Sequence, residues 1–120
     1  MTFTDLDAWK EARNLVKIVY THTKLFPKEE VYGLQSQIRR SAISVPSNIA
    51  EGCGRNHPKD IMRFYYIARG SAYELETQLY LSLDLNFINE EDLKMMLEKL
   101  RKIRILLAGL INYQNNQLNK

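Results

Sequence analysis

The sequence predicts an all-α protein, folded as an antiparallel up-down-up-down bundle of four helices. Apolar residues recur every three or four positions in four separate segments, which is the spacing of one face of an α-helix. No segment alternates with period two, so no strand is predicted. The connections between segments are short, which places consecutive helices side by side and antiparallel.

The first two predicted helices span about residues 7–25 and 30–52, with Leu34 as the alternative start of the second. Pro27 closes the first, and Gly52 supplies backbone freedom at the end of the second. Pro46 lies inside the second helix, where its missing N–H and bulky ring predict a kink. The apolar stripes are Trp9, Ala12, Val16, Val19, Thr23 and Phe26, then Leu34, Ile38, Ala42, Val45 and Ile49.

The last two helices span about residues 58–86 and 90–114, and the polar tail to 120 is expected to fray. Pro58 suits a first helical turn, and Asn89 is a good N-cap. All four helices form a single predicted domain, residues 1–120. Their stripes are Ile61, Phe64, Ala68, Ser71, Leu75, Gln78, Ser82 and Leu85, then Leu93, Met96, Leu100, Ile103, Leu107 and Leu110.

Composition and motifs predict no enzyme, no metal and no cofactor. Cys53 is the only cysteine, and neither His22 nor His57 has the Glu-x-x-His spacing of a di-iron bundle. Ser44 or Ser47 with His57 would be the nearest serine–base pair, but no spacing supports it. The N-terminus lacks an apolar signal segment and no apolar run spans a bilayer, so a cytoplasmic protein without membrane contact is expected.

Polar side chains cluster where the second and third helices are predicted to meet. Asn48 and Glu51 lie one turn apart, and Glu74 and Gln78 lie one turn apart near Ser71. We interpret them as a buried hydrogen-bond network that fixes helix register, since buried polar groups need partners. A ligand site is the alternative. Arg40 is expected to pair with Glu74 or Glu51.

Charge is segregated along the chain, although its net value is only +3. Residues 36–73 and 94–104 each carry a net +4, whereas residues 74–93 hold six acids and no base. Cations at loose spacing suit phosphate contacts, while charges that pair within or between subunits are the alternative. The candidate nucleic-acid contacts are Arg39, Arg55, Lys59, Arg63, Arg69, Lys94, Lys99, Arg101, Lys102 and Arg104.

A second stripe on the third helix consists of Tyr66, Tyr73, Tyr80 and Phe87 at intervals of seven. Exposed apolar faces are rare on monomers, so this stripe predicts self-association. A platform on which bases stack is the alternative.

The segments RRSAISVPSNIAEGCGR at 39–55 and FYYIARGSAYELETQL at 64–79 resemble the family of four-helix-bundle proteins encoded in 23S ribosomal RNA intervening sequences. The pattern D-L-x-x-W-x-x-A from Asp5 to Ala12 also recurs there. This family is related to the accessory variability protein of diversity-generating retroelements.

The resemblance implies a left-handed bundle that assembles as a homopentamer. It also implies a nucleic-acid role through a basic surface, as for the retroelement relatives, with ribosomal RNA as one partner. The predicted function is therefore a non-enzymatic, self-assembling accessory protein that binds RNA or DNA. The alternative is a structural or interaction scaffold for a protein encoded nearby, without nucleic-acid binding.

Overall fold

A computed structural model describes residues 2–120 and confirms an all-α four-helix bundle, with no strand in that range. The bundle is elongated, measuring 51 × 24 × 21 Å. Short 3₁₀ turns at Phe3–Asp5 and Lys28–Glu30 precede the first and second helices. The helices are α1 (Asp7–Thr23), α2 (Leu34–Cys53), α3 (Pro58–Asp84) and α4 (Glu90–Leu118).

Each helix packs against two neighbours, and the other helix lies diagonally across the bundle. The helix α1 contacts α2 and α4, and α3 contacts the same two helices. As a result, the surface formed by α1 and α2 lies on the opposite side of the molecule from the surface formed by α3 and α4.

Local hydrogen bonds set where the helices begin. The carboxylate of Glu30 accepts from the backbone N–H of Leu34 at 2.9 Å, so α2 begins at Leu34 and not near residue 30. Asn89 caps α4, as its side-chain oxygen accepts from the N–H of Asp92 at 2.7 Å. Side-chain acceptors at these positions satisfy donors that have no partner inside the helix.

The C-terminal end of α4 differs from the expected frayed tail. The helix continues to Leu118 instead of ending near residue 114. Leu118 is partly buried and packs against the hydrophobic core, which gives the polar segment before it an anchor. One buried contact at the end of a segment is enough to favour its helical form, because packing contributes most of a helix's stability.

The connection between α3 and α4 is a tight turn. Asn86 has a positive φ of 63°, a conformation that asparagine tolerates better than most residues. The N–H of Phe87 donates to the carbonyl of Ser82 at 2.8 Å and closes the turn. The Phe87 ring then packs on Phe26, with ring centroids 5.2 Å apart, and ties this turn to the end of α1.

The core is broader than the four predicted stripes. Each helix buries the side chains that point between its two neighbours, so the centre of the buried surface is rotated from a single stripe. Ala8 and Leu15 in α1 and Met62 and Tyr65 in α3 are buried, whereas Trp9, Val16, Ile61 and Phe64 are partly exposed.

The helix α2 runs without interruption through Pro46. Proline lacks an N–H, so the carbonyl of Ala42 one turn earlier loses its usual helical donor. The kink expected at Pro46 stays a prediction, as does the left-handed twist of the bundle.

Candidate nucleic-acid interface

A layer of hydrogen-bonded side chains joins α2 to α3 inside the bundle. Ser41 donates to the side-chain carbonyl of Gln78 at 2.6 Å, and both residues are buried. The hydroxyls of Ser44 and Ser71 lie 2.7 Å apart and share a hydrogen bond. These two contacts fix which turn of α2 faces which turn of α3, since a shift of one turn would leave buried polar atoms without partners.

Asn48 extends this layer by one turn along α2. Its amide donates to the carbonyl of Ser44 at 2.8 Å and to the hydroxyl of the same residue at 2.9 Å. The structure thus places Asn48, Ser71 and Gln78 in or beside one layer. The sequence reasoning missed Ser41 and Ser44, although their spacing with Asn48 along α2 puts all three on one face.

The charged members proposed for this network lie outside it. Arg40 and Glu74 are exposed, and neither has an ion-pair partner within residues 2–120. Glu51 is exposed and pairs with Arg55 at 3.4 Å, within its own stretch of chain. The expected pairing of Arg40 with Glu74 or Glu51 is therefore wrong. Charged side chains remain in water because burial of a charge is costly.

The catalytic pairing that the sequence offered is not assembled. Ser44 is engaged with Ser71 and Asn48, while His57 caps α3 by accepting from the N–H of Lys59 at 3.3 Å. In the part of the chain that the structure describes, no three His, Cys, Asp or Glu side chains are grouped to hold a metal ion. Across the same residues, no helix has the length and apolar character needed to cross a bilayer.

A close approach between α2 and α3 explains one glycine of the Gly-Cys-Gly segment. A Cβ atom at Gly52 would lie 2.7 Å from the ring of Tyr65, which is buried. The Tyr65 hydroxyl lies 3.4 Å from the sulfur of Cys53. Burial and this contact raise the pKa of Tyr65 above its usual range, so the phenol remains neutral.

The ten predicted phosphate contacts do not form one surface. Lys59 lies in the first turn of α3 and Lys94 in the first turn of α4, at opposite ends of the bundle. Half of the set is already engaged inside the protein: Arg39 donates to the Thr23 hydroxyl at 2.9 Å, Lys102 contacts Glu11 at 3.0 Å, Arg63 contacts Asp60 at 3.1 Å, Arg55 contacts Glu51 at 3.4 Å, and Arg104 contacts Glu76.

The other five are Lys59, Arg69, Lys94, Lys99 and Arg101, and none has a carboxylate partner in residues 2–120. All five belong to α3 or α4, where most of the chain's carboxylates also lie. Acidic neighbours reduce the positive potential that a phosphate would experience there.

Tyr66, Tyr73 and Tyr80, here called the tyrosine stripe, lie along the outer side of α3. Their side chains are 46%, 54% and 47% exposed. The guanidinium of Arg69 lies 4.8 Å from the ring centroid of Tyr66, and that of Arg104 lies 5.0 Å from the ring centroid of Tyr73. The stripe therefore presents aromatic rings held by cation–π contacts, on the α3/α4 side of the molecule.

A strongly basic surface lies on the opposite side, along α1 and α2. Three cations recur at intervals of three and four residues on the exposed side of α1, a fourth follows seven residues later just past its end, and two adjacent arginines of α2 lie beside them. None of the six contacts a carboxylate in the described chain. We call this surface the basic face, and it consists of Lys10, Arg13, Lys17, Lys24, Arg39 and Arg40.

The basic face is invisible in local charge sums because acids close in sequence lie elsewhere in the fold. Glu11 turns toward α4 and pairs with Lys102, while Glu30 binds the start of α2. No Asp or Glu occurs at 12–28 or at 31–50. The basic face carries a charge of +6. The other eleven cations and the fourteen carboxylates of the chain together carry a net charge of −3. Of its six members, sequence reasoning assigned only Arg39 to phosphate binding.

A shallow apolar cavity of about 360 Å³ opens between α1 and α2 within this surface. The Trp9 ring forms one wall, and the Arg13 guanidinium lies 5.3 Å from its centroid. We call this cavity the Trp9 groove, and its lining is Trp9, Arg13, Val16, Ile43, Pro46, Ser47 and Ala50.

These features define a helical bundle with a structural polar layer, an aromatic outer stripe and one strongly basic side. The chain belongs to the 23S rRNA-intervening sequence protein family, whose family model matches residues 4–109.

Among solved structures, the chain is similar to a protein of unknown function from the S23 ribosomal protein family of Bacteroides thetaiotaomicron VPI-5482. The two share 25% sequence identity with a TM-score of 0.78, and the match covers 87% of this chain and 97% of the other. No significant match is found among curated proteins.

Proposed function

We propose that this protein is a non-enzymatic, self-assembling bundle that binds nucleic acid through its basic face. The observation that carries the proposal is the alignment of six cations on the α1/α2 surface without a carboxylate partner. This assignment replaces most of the phosphate contacts predicted from the sequence, because four of those ten pair with carboxylates and five others lie on α3 or α4, where most of the chain's carboxylates also lie.

The dimensions of the basic face suit a phosphate backbone. Lys10 and Lys24 are fourteen residues apart in sequence at the two ends of α1, which corresponds to about 21 Å of helix. One strand of a B-form duplex carries about six phosphates over that length. Arg39 is held in place by Thr23 and by the Tyr20 ring, whose centroid lies 4.3 Å from its guanidinium. A fixed arginine loses less entropy when it binds a phosphate oxygen.

Self-assembly is assigned to the tyrosine stripe on the opposite side of the molecule. Three tyrosines that are about half exposed form an aromatic surface of the kind that monomers rarely leave in water. A homopentamer, as the family resemblance implies, would repeat the basic face five times around one assembly. Repetition of this kind converts weak contacts into strong overall binding.

The test is fluorescence-anisotropy binding of a structured ribosomal RNA fragment and a matched DNA duplex across a salt series. We expect the double variant Lys17→Glu, Arg40→Glu to lower the affinity at least about tenfold and to flatten the salt dependence, since two phosphate contacts are removed. The matched control is Lys99→Glu, Lys120→Glu, which changes the net charge equally on the C-terminal part of the chain, outside the basic face and outside the cavity that Tyr80 lines.

Equal losses in the two double variants would show that only overall charge matters, and would contradict the assignment to the basic face. No binding by the wild-type protein at low salt would favour the alternative function, a scaffold for a protein partner.

A further inference from the structure

We infer that the Trp9 groove receives an unpaired base, so that the nucleic acid bound by the basic face is single-stranded. This inference rests on the proposed function and specifies its ligand. The groove is the one feature of the basic face that a phosphate backbone alone would not use. Its apolar lining lies among cations, and a nucleotide likewise joins an aromatic base to a negatively charged phosphate.

The groove is open because α2 contributes mostly short side chains to it. Pro46, Ser47 and Ala50 line the side formed by α2 together with the larger Ile43, and the Trp9 ring lies on the side formed by α1. Trp9 is partly exposed and makes an edge contact with Phe3 at a centroid distance of 5.3 Å. The Arg13 guanidinium lies over the indole, so a base would stack on the ring as this guanidinium moves to a flanking phosphate.

Cations continue from one end of the groove along α1 and α2. Arg13 lines the groove itself, and Lys17 follows one turn later on α1. Arg40 precedes Ile43 by about one turn on the exposed side of α2. Because α1 and α2 are antiparallel, Lys17 and Arg40 lie in the same direction from Trp9, toward the end of α1 where Arg39 contacts Thr23. A base seated against Trp9 therefore has Arg13 beside it, and the phosphates that follow it in that direction fit Lys17 and Arg40.

A duplex cannot make the same contact, because its bases are stacked inside and only their edges are accessible. Sequence-tolerant binding of single strands uses aromatic side chains for the bases and cations for the backbone, which is the combination found here. The groove is thus expected to favour single strands over duplexes of equal length.

A second copy of the chain is a poorer occupant. The aromatic surface available for such a contact is the tyrosine stripe, which carries Arg69 on the Tyr66 ring, without a carboxylate partner in residues 2–120, and Arg104, paired with Glu76, on the Tyr73 ring. Docking that stripe into the Trp9 groove would place the uncompensated Arg69 near Arg13. Like charges brought together at an interface oppose association.

The experiment compares three labelled probes of about twelve nucleotides: oligothymidylate, an abasic oligonucleotide with the same phosphates, and a duplex of the same length. We expect wild-type protein to bind oligothymidylate more tightly than either of the others. Ser47→Leu, an exposed change that fills the groove, should weaken oligothymidylate binding about tenfold and leave abasic binding unchanged. Abasic binding also shows that the variant is folded, since its cations are intact.

The matched control is Ser36→Leu, the same change on α2 away from the groove, which should alter neither affinity. Equal wild-type affinity for abasic oligonucleotide and oligothymidylate would overturn the inference while leaving phosphate binding in place. Ser47→Leu could instead lose affinity for both oligothymidylate and abasic oligonucleotide while its oligomer mass in light scattering rises or falls. That result would assign the groove to self-association. Absence of binding to every probe would overturn the proposed function itself.

Discussion

At the scale of single residues, the most demanding contacts are the buried hydrogen bonds between α2 and α3. Ser41 is 1% exposed, and its hydroxyl lies between the carbonyl of Ile38, at 3.1 Å, and the side chain of Gln78. Apolar packing alone tolerates small shifts of one helix along another. A buried hydroxyl paired with one amide does not, because each polar atom left without a partner costs free energy.

We predict that Ser41→Ala lowers the free energy of unfolding by about 1–3 kcal/mol, because it leaves the Gln78 carbonyl without its donor. Chemical denaturation monitored by far-UV circular dichroism measures this change. The control is Ser47→Ala, the same substitution at an exposed position of α2. Both changes add the helix propensity of alanine, so their difference isolates the buried contact. Indistinguishable midpoints for the two variants would contradict this role.

For the hydrogen-bonded layer between α2 and α3, the sequence predicted the neutral residues correctly and the charged residues wrongly. Asn48 and Gln78 are placed by the apolar periodicity around them, which indicates burial and therefore a need for partners. Arg40 and Glu74 have no such constraint, because long charged side chains at the edge of a stripe can reach water. Short-range spacing along one helix cannot decide between those outcomes.

At the scale of elements, α3 carries a feature that its own bundle does not explain. Gly70 lies in the middle of this 27-residue helix, is exposed, and has nothing within 4 Å of the place where a Cβ would be. Glycine inside a helix costs about 1 kcal/mol relative to alanine. Gly70 lies between Tyr66 and Tyr73, so its small size is explained if another copy approaches the tyrosine stripe closely.

Gly70→Ala should therefore stabilise the isolated subunit and weaken the assembly. We expect the melting temperature of dilute, dissociated protein to rise, since the helix gains about 0.8–1 kcal/mol. We also expect the mass measured by multi-angle light scattering to fall toward the 14.1 kDa monomer. Gly109→Ala is the control, as this glycine of α4 is also exposed with nothing within 4 Å. If both variants keep the wild-type mass, the stripe is not an interface.

The ends of the elements were harder to predict than their existence. The period of apolar residues indicated all four helices, but one local side-chain hydrogen bond and one packing contact decided where two of them begin or end. Glu30 delays the start of α2 by binding the Leu34 N–H, and Leu118 extends α4 by packing on the core. Neither contact has a signature in the spacing of neighbouring residues.

At the scale of the whole molecule, the proposed function depends on an arrangement of charge that the linear sequence conceals. Counting along the chain gives a neutral segment at residues 1–35, since its five acids cancel its five cations. Folding separates them, because Glu11 turns toward α4 and the acids before α2 lie in a connecting turn. One side of the bundle is left basic and the opposite side aromatic. A cyclic pentamer has head-to-tail interfaces, so the tyrosine stripe of one subunit would contact a different surface of the next, and every basic face stays accessible where that surface lies elsewhere.

This separation predicts that assembly strengthens binding to long nucleic acids but not to short ones. Tyr73→Glu places a charge in the centre of the tyrosine stripe and should dissociate the assembly without touching the basic face. A short strand occupies one subunit, so its affinity should be unchanged. A strand long enough to reach several subunits loses their combined effect, which amounts to about 10²-fold or more when geometry allows simultaneous contact.

Anisotropy with short and long single strands, together with light scattering on the same samples, measures both quantities. The control Asn116→Glu adds the same charge at an exposed position near the end of α4 and should preserve mass and both affinities. If a monomeric Tyr73→Glu protein binds the long strand as tightly as wild type does, assembly does not strengthen binding and the prediction is wrong. The repeated basic face would then have no role in affinity, and the purpose of assembly would lie in positioning a protein partner.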